Sequence, residues 1–293
     1  MNGDALRARL DAGESVLMAG CFDAVSARLA VGAGFQTLFL SGYCTAATLL
    51  GLPDFGYLTQ TEIAEVARRV CSSAPGAQIV VDGDTGYGNA LNVIRTVELY
   101  EQAGAAGMFL EDQVWPKKCG HMAGKRVVAR EEWLAKLRAA LDHRHHLFIT
   151  ARTDARAAVG LDEACERARM AADLGVDAVF VEAPESVDEM EAIAKATPGC
   201  VRVANMIEGG RTPLRTPQEL HELGFDLVVS PLTGLLAAAR QMRLAYQLLH
   251  DEGTLRDHLD LVSSFDDFGA LVELDRHYAL EARYAGGTEP SGS

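Results

Sequence analysis

The sequence predicts an α/β protein of the (β/α)8, or TIM barrel, class. Short apolar runs alternate with helical patterns eight times along about 250 residues, which is the usual size of such a barrel. The apolar runs are continuous, as expected for parallel strands that are covered on both faces. An open doubly wound sheet is the alternative, but it would need a GxGxxG pattern after its first strand, and the sequence has none there.

The predicted elements follow one another in strict order. The predicted strands are residues 15–20, 37–41, 78–82, 107–110, 147–151, 178–181, 201–204 and 227–229. The predicted helices are residues 25–33, 61–71, 90–103, 130–143, 161–174, 186–196, 216–223 and 233–249. Gly34, Gly104, Gly175 and Gly224 each follow Ala or Leu just before a strand, a position typical of helix C-caps.

The chain beyond the eighth unit is acidic, has a helical pattern and is too short to form a core of its own. We therefore expect residues 1–250 to form the catalytic barrel. Residues 251–285 are predicted to be a helical extension that packs on the barrel or on a neighbouring subunit, and residues 286–293 a flexible tail.

Composition excludes several classes of function. The net charge of −14 disfavours nucleic acid and anionic lipid as partners. No apolar run reaches the ~18–20 residues of a membrane helix, and the first residues do not resemble a secretory signal. The six cysteines are widely spaced, without a CxxC pair, which indicates neither a structural zinc site nor a disulfide framework. These observations favour the cytoplasm, with no membrane or nucleic-acid partner.

Paired carboxylates indicate a metal site at the predicted barrel mouth. Reactive groups of such barrels lie at the carboxyl ends of strands, and nearly every predicted strand ends at a polar residue. On a strand, the spacing of Asp82 and Asp84 would place both side chains on one face, with Glu111 at the end of the next strand. Carboxylates that converge in this way favour Mg²⁺ or Mn²⁺. The alternative is a turn rich in Asp and Gly with no metal.

The long loop after the fourth predicted strand carries the run KKCGH, residues 117–121. Loops of this length are often lids over an active site. Positive neighbours lower the pKa of a thiol, so Cys119 could exchange a proton near neutral pH. Lys117, Lys118 and His121 would attract an anionic substrate. The alternative is a surface loop with an incidental cysteine.

Arg152 lies at the end of the fifth predicted strand, where a guanidinium needs an anionic partner. A substrate carboxylate suits its two parallel donors. The alternative is an internal ion pair with Glu182 or Asp154.

Four segments together resemble the isocitrate lyase/phosphoenolpyruvate mutase superfamily, over about residues 14 to 280. They are DGDTGYGN, EDQVWPKKCGHMAGK, ARTDA and NMIEGGRTPL. The resemblance implies a (β/α)8 barrel whose last helix is swapped between subunits, a dimer of dimers, and a Mg²⁺-dependent reaction through an enolate-like intermediate. The segment SGYCTAATLLGLPDFG is similar to the branch that contains the petal death protein, with 2-methylisocitrate and dimethylmalate lyases nearby.

The resemblance also implies roles for individual residues. Asp82 is implied to be the direct metal ligand, with Asp84, Glu111 and Asp54 acting through water. The implied substrate-binding residues are Ser41, Gly42, Tyr43, Gly120, His121, Arg152, Glu182 and Asn205. Cys119 is the implied acid/base. The proton-abstracting base stays open between Tyr43 and a carboxylate on the metal.

Three functions compete at this point. The first is cleavage of a carbon–carbon bond in a 2-hydroxy or hydrated 2-oxo dicarboxylate, such as oxaloacetate, a 2-alkylmalate or 2-methylisocitrate. The second is phosphorus–carbon chemistry, as in a phosphonopyruvate or carboxyphosphonoenolpyruvate mutase or hydrolase, which the cysteine of the loop disfavours. The third is a binding protein without catalysis, which the intact set of charged residues disfavours.

Overall fold

Eight parallel strands form a closed barrel in the computed structural model, which describes residues 3–118, 120 and 124–285. The strands are β1 (Val16–Cys21), β2 (Thr37–Leu40), β3 (Gln78–Asp82), β4 (Gly107–Glu111), β5 (Phe148–Thr153), β6 (Ala178–Val181), β7 (Val201–Asn205) and β8 (Leu227–Ser230). Each strand pairs with the next, and β1 pairs with β8 to close the sheet. The predicted barrel is confirmed, with strand bounds within two residues of the prediction.

The helices alternate with these strands. They are α1 (Gly3–Asp11), α2 (Ala24–Gly32), α3 (Gly42–Leu50), α4 (Gln60–Ser73), α5 (Ala90–Ala103), α6 (Arg130–His143), α7 (Ala155–Ala158), α8 (Leu161–Leu174), α9 (Val187–Ala196), α10 (Pro217–Glu222), α11 (Thr233–Glu252), α12 (Phe265–Leu271) and α13 (Leu274–Tyr284), with a 3₁₀ turn at Leu259–Leu261. The glycines predicted as helix terminators all have positive φ, between 85° and 101°. Sequence patterns did not predict α1, α3 or α7.

Aromatic side chains fill the barrel interior. Phe39 packs on Phe109 with ring centroids 4.8 Å apart, and Phe109 packs on Phe180 at 5.6 Å. Leu6 and Leu10 of α1 belong to the same apolar cluster. A backbone contact between α1 and the start of β5 places α1 at the amino end of the barrel. The interior is therefore closed at the amino end.

The chain divides into two compact units, Met1–Leu235 and Leu236–Ser293. In the second unit, α12 packs against α13, while α11 and α13 have no buried residues. Large apolar side chains are exposed there, including Phe265 (86%) and Tyr284 (71%). None of the described helices is both long and apolar enough to cross a bilayer.

Candidate active site

Six polar side chains meet at the carboxyl ends of the barrel strands, which form the mouth of the barrel. Ser41 follows β2, Asp82 ends β3, Glu111 ends β4, Arg152 lies in β5, Glu182 follows β6 and Asn205 ends β7. Each exposes less than a tenth of its surface. Because the carboxyl ends of parallel barrel strands share one rim, closure of the barrel brings together residues distant in sequence.

The segment predicted as a strand end at Ser41, Gly42 and Tyr43 is the start of helix α3. Ser41 caps this helix, and its hydroxyl accepts a hydrogen bond from the backbone N–H of Cys44 at 3.3 Å. The backbone N–H of Gly42 donates to Asp82 Oδ2 at 3.2 Å. A Cβ at Gly42 would lie 2.7 Å from that oxygen, so a side chain there would displace the carboxylate. The helix N-terminus thus faces the acidic centre, where its partial positive charge stabilises anions.

The two aspartates of the DGDTGYG segment are brought together by a turn. Strand β3 ends at Asp82, and Asp84 has a left-handed backbone conformation, with φ of 45°. Asp82 Oδ1 accepts the backbone N–H of Asp84 at 3.3 Å, and the Asp82 carbonyl accepts the Tyr100 hydroxyl at 2.9 Å. The expectation that both side chains share one strand face is therefore wrong, because the strand stops before Asp84. The Asp-Gly turn and the carboxylate cluster are both present.

Lys117 lies between two of the predicted metal-site acids. Its ammonium is 2.8 Å from Asp54 Oδ2 and 2.6 Å from Asp84 Oδ1. Burial raises the pKa of Asp84 to about 7, and the Lys117 ammonium opposes that rise. Burial alone would lower the pKa of Lys117, but the surrounding carboxylates raise it well above its usual value. The sequence predicted Lys117 as an attractor for substrate, and the structure gives it two internal partners.

Arg152 is held by three carboxylates. Its guanidinium lies 3.0 Å from Asp154, 3.2 Å from Glu182 and 3.3 Å from Glu111, and it also packs over the ring of Phe180. The internal ion pair, proposed as an alternative to substrate binding, is thus formed with both expected partners. A guanidinium has five N–H donors, so these contacts do not preclude a further one to a bound anion.

Gly120 of the KKCGH loop lies beside Glu182 and Arg152 at the mouth. A Cβ at Gly120 would lie 2.5 Å from the Glu182 carboxyl carbon and 2.6 Å from an Arg152 nitrogen, so a side chain there would displace Glu182 and Arg152. The buried Lys125 ammonium donates to the Gly120 carbonyl and lies 2.7 Å from Asp154. Sequence reasoning missed Lys125, although its place directly after the KKCGHMAG segment could have indicated an anchor. Cys119 and His121 lie outside the described residues.

Glu182 connects Arg152 to the last predicted substrate group. The Asn205 side-chain N–H₂ lies 3.3 and 3.4 Å from the two Glu182 carboxylate oxygens. Glu182 therefore orients both Arg152 and Asn205 around one end of the mouth.

A cluster of four carboxylates, which Glu111 joins to Arg152, fits a hard divalent cation. Asp54, Asp82, Asp84 and Glu111 are all buried, and neither Glu111 oxygen accepts a hydrogen bond from the described residues. Burial raises the pKa of Glu111 well above its usual value, although Arg152 and Lys117 oppose this. Within the described parts of the chain, no three acidic, imidazole or thiol groups form a closed metal-ligand set. Hard oxygen donors crowded in this way nevertheless match the ligand preference of Mg²⁺ and Mn²⁺.

Residues 6–250 match the family model described as phosphoenolpyruvate phosphomutase. The chain belongs to the phosphoenolpyruvate phosphomutase family. One relative is the chloroplastic carboxyvinyl-carboxyphosphonate phosphorylmutase of Arabidopsis thaliana, 52% identical over 92% of this chain and 81% of that protein. Another is the petal death protein of Dianthus caryophyllus, 49% identical over 92% of this chain and 85% of that protein.

Solved structures of the wider PEP mutase/isocitrate lyase superfamily share this fold. Oxaloacetate acetylhydrolase with 3,3-difluorooxalacetate has a TM-score of 0.91 and 31% identity, covering 98% of both chains. For 2,3-dimethylmalate lyase the TM-score is 0.92 at 31% identity, covering 99% of this chain and 98% of that one. Phosphonopyruvate hydrolase with oxalate and Mg²⁺ has a TM-score of 0.87 at 29% identity, covering 97% and 100%. The predicted membership is confirmed, and the protein is an enzyme of a superfamily of lyases and mutases. The roles of individual mouth residues stay predictions.

Proposed function

We propose that this enzyme cleaves a carbon–carbon bond in a small 2-hydroxy or hydrated 2-oxo dicarboxylate, with Mg²⁺ as cofactor and Mn²⁺ as a substitute. One observation carries the proposal: a buried guanidinium, Arg152, lies in contact with Gly120 of the KKCGH loop and, through Glu111, adjoins a cluster of carboxylates. A dianionic substrate can place one carboxylate near each end of such a mouth. Bound Mg²⁺ would act as a Lewis acid that lowers the pKa of the substrate hydroxyl.

One set of groups at the mouth would bind the cation and one carboxylate of the substrate. Asp82 would hold the cation directly, and Asp84, Glu111 and Asp54 would hold it through water. The N-terminus of α3, at Ser41–Gly42–Tyr43, would accept one substrate carboxylate on its backbone N–H groups.

A second set of groups would hold the other end of the substrate. Arg152, Glu182 and Asn205 would position this end, with Gly120 and His121 of the loop closing over it. Lys117 would bind the substrate from its place beside Asp54 and Asp84.

The bond cleavage then needs one proton removed and one supplied. A base, either Tyr43 as its phenolate or a carboxylate of the mouth, removes the C2 hydroxyl proton. The C2–C3 bond breaks, and its electron pair stays on C3 as an enolate of the leaving carboxylate. Cys119 donates its thiol proton to C3, and Arg152 stabilises the negative charge that develops. For hydrated oxaloacetate, the products are oxalate and acetate.

A panel of substrates with Mg²⁺ tests this proposal. The panel contains oxaloacetate, 2-methylmalate, 2,3-dimethylmalate, 2-methylisocitrate, isocitrate and phosphonopyruvate. We expect turnover of at least one carbon–carbon substrate, abolished by EDTA. Cys119→Ala should lower kcat by about 10²–10⁴, the usual contribution of a positioned acid or base. Cys165→Ala, half-buried on α8, is the matched control and should keep full activity.

Phosphorus–carbon chemistry is the second candidate, because the 52% identical relative is named a phosphorylmutase and a solved relative is phosphonopyruvate hydrolase. Turnover of phosphonopyruvate alone, unaffected by Cys119→Ala, would favour it. Tight ligand binding without turnover of any panel member would favour a binding protein instead.

We further propose a homotetramer, a dimer of dimers in which the C-terminal helices pack on neighbouring subunits, in the cytoplasm. Its support is the apolar surface of α11–α13, where Tyr246 is 67% exposed. Sedimentation should give four times the 31.4 kDa of one chain. Tyr246→Glu should lower that mass, whereas Leu91→Glu, an equally exposed site on α5 (73%), should not. A wild-type monomer would contradict the proposal.

A further inference from the structure

A cavity of about 660 Å³ lies beside the barrel mouth and contains none of the predicted site residues. Residues 56–60, 85, 87–88 and 113–115 line it, together with Val128 and with Glu132 and Lys136 of α6. Its volume falls within the ~300–1,000 Å³ range of small-molecule sites. The cavity is therefore large enough for a ligand separate from the substrate.

A buried ammonium group is the main polar feature of this cavity. Lys136 is only 5% exposed, and its ammonium donates to the Thr85 carbonyl at 3.2 Å. The only carboxylate paired with it in the described residues is that of Glu132, in a longer contact of 3.7 Å. The Glu132 side chain is itself 55% exposed. Of the three N–H donors of Lys136, one has the Thr85 carbonyl as a close acceptor and a second is directed at Glu132. Burial lowers the pKa of Lys136, and Glu132 opposes this.

Aromatic and aliphatic side chains form the walls. Trp115 and Tyr57 are 43% and 53% exposed, and Tyr87 meets Trp115 edge-on with ring centroids 6.2 Å apart. Leu58 and Val114 complete the apolar lining. Exposed aromatic rings around a concave surface favour a flat apolar ligand, because burying them removes apolar area from water.

We propose that this cavity is a second ligand site, which binds a small monocarboxylate with an aromatic or flat apolar body. The carboxylate accepts the remaining N–H group of Lys136 and competes with Glu132 for a second, and the body packs between Trp115, Tyr57 and Tyr87. A single buried cation with apolar walls selects one negative charge and a hydrophobic body. A dicarboxylate of the kind proposed as substrate would bind poorly, because its second carboxylate would lie against these apolar walls without a cation.

The site also borders the mouth through two hydrogen-bonded links. The Tyr87 hydroxyl interacts with Tyr100, whose own hydroxyl donates to the Asp82 carbonyl. Lys136 contacts Thr85, next to Asp84. A ligand in the cavity would therefore contact Tyr87, which is one hydrogen bond away from Tyr100, and Thr85, which is next to Asp84 in the chain.

Calorimetric titration with 2-naphthoate tests the proposal, with 2-naphthalenemethanol as the uncharged probe of similar shape. We expect saturable 1:1 binding of 2-naphthoate per chain, at least tenfold tighter than binding of the alcohol. Lys136→Met should weaken 2-naphthoate binding at least tenfold and remove the preference for the charged probe. Lys195→Met, at an exposed lysine of α9, is the control and should change neither.

Two further variants test whether the cavity itself holds the probe. Glu132→Gln removes the competing carboxylate, so 2-naphthoate should bind more tightly. Val128→Trp fills the cavity while keeping Lys136, so binding should be lost although the melting temperature stays close to that of the wild type. Saturating oxalate with Mg²⁺ should leave the titration unchanged, because those ligands are directed to the mouth.

No saturable binding to the wild type, or binding that Lys136→Met and Val128→Trp leave intact, would overturn the proposal. Competition by oxalate with Mg²⁺ would also overturn it, since the probe would then occupy the mouth. None of these readouts depends on turnover, so the result is independent of the proposed lyase activity.

Discussion

Asp82→Asn is expected to lower kcat/KM for the cleaved dicarboxylate by about 10³, or about 4 kcal/mol of transition-state stabilisation. The substitution preserves the shape of the side chain and removes its charge. In the wild type, the backbone N–H groups of Gly42 and Asp84 hold one Asp82 oxygen each. The carboxylate is thus placed before any cation arrives, and the asparagine amide would direct N–H groups at one of these donors.

Two measurements separate loss of the cation from loss of fold. Calorimetric titration with Mg²⁺ should show at least tenfold weaker binding in Asp82→Asn, and higher Mg²⁺ should restore only part of the rate. Asp173→Asn, at a side chain 65% exposed on α8, should match the wild type in Mg²⁺ affinity and in rate. An Asp82→Asn enzyme with unchanged Mg²⁺ dependence would show that the cation is held elsewhere.

Arg152→Lys is expected to lower kcat/KM by about 10²–10³, because a lysine ammonium cannot reproduce the planar fork of a guanidinium. Arg152→Met should also destabilise the protein by about 3–5 kcal/mol, the usual cost of removing one partner of a buried charge cluster. Glu111, Asp154 and Glu182 all face this guanidinium and would lose a compensating charge. The lysine variant therefore tests mainly catalysis, and the methionine variant tests mainly stability.

Kinetics and urea unfolding on the same preparations distinguish these effects. Arg156→Lys is the control, because Arg156 pairs with Glu185 and Glu189 and does not contact Arg152's carboxylates in the described structure. It should keep activity within a few-fold. If Arg152→Lys retained full kcat/KM, Arg152 would be a structural ion-pair partner only.

Strand order and barrel closure could be predicted from the sequence because their causes are local or follow from general topology. A continuous apolar run such as 79–81 indicates a strand buried on both faces, and eight such runs with intervening helices leave few arrangements other than a barrel. The KKCGH loop and the DGDTGYGN segment are continuous in the sequence, so their resemblance to known enzymes identified the family without any structure. Polar residues at strand ends were found because every strand end lies at one rim.

Helix α3 shows where local patterns failed. Residues 42–50 contain Gly, Thr and Cys, which are weak helix formers, and no charged residue marks the first turn. The helix forms at a position where Ser41 caps it and Gly42 donates to Asp82, forty residues away in the chain. Similarly, the Asp82–Asp84 spacing suggested a shared strand face, whereas β3 ends at Asp82 and a left-handed Asp84 completes the turn.

The sequence by itself determined which residues can carry chemistry and on which rim they lie, because residue type and periodicity depend on near neighbours. Only the tertiary structure decided their partners. Lys117 lies between Asp54 and Asp84, and Lys125 anchors Gly120 to Asp154, over separations that no periodic pattern encodes. The physical reason is that buried charges must be compensated within a few ångströms, and barrel closure alone decides which charges come that close.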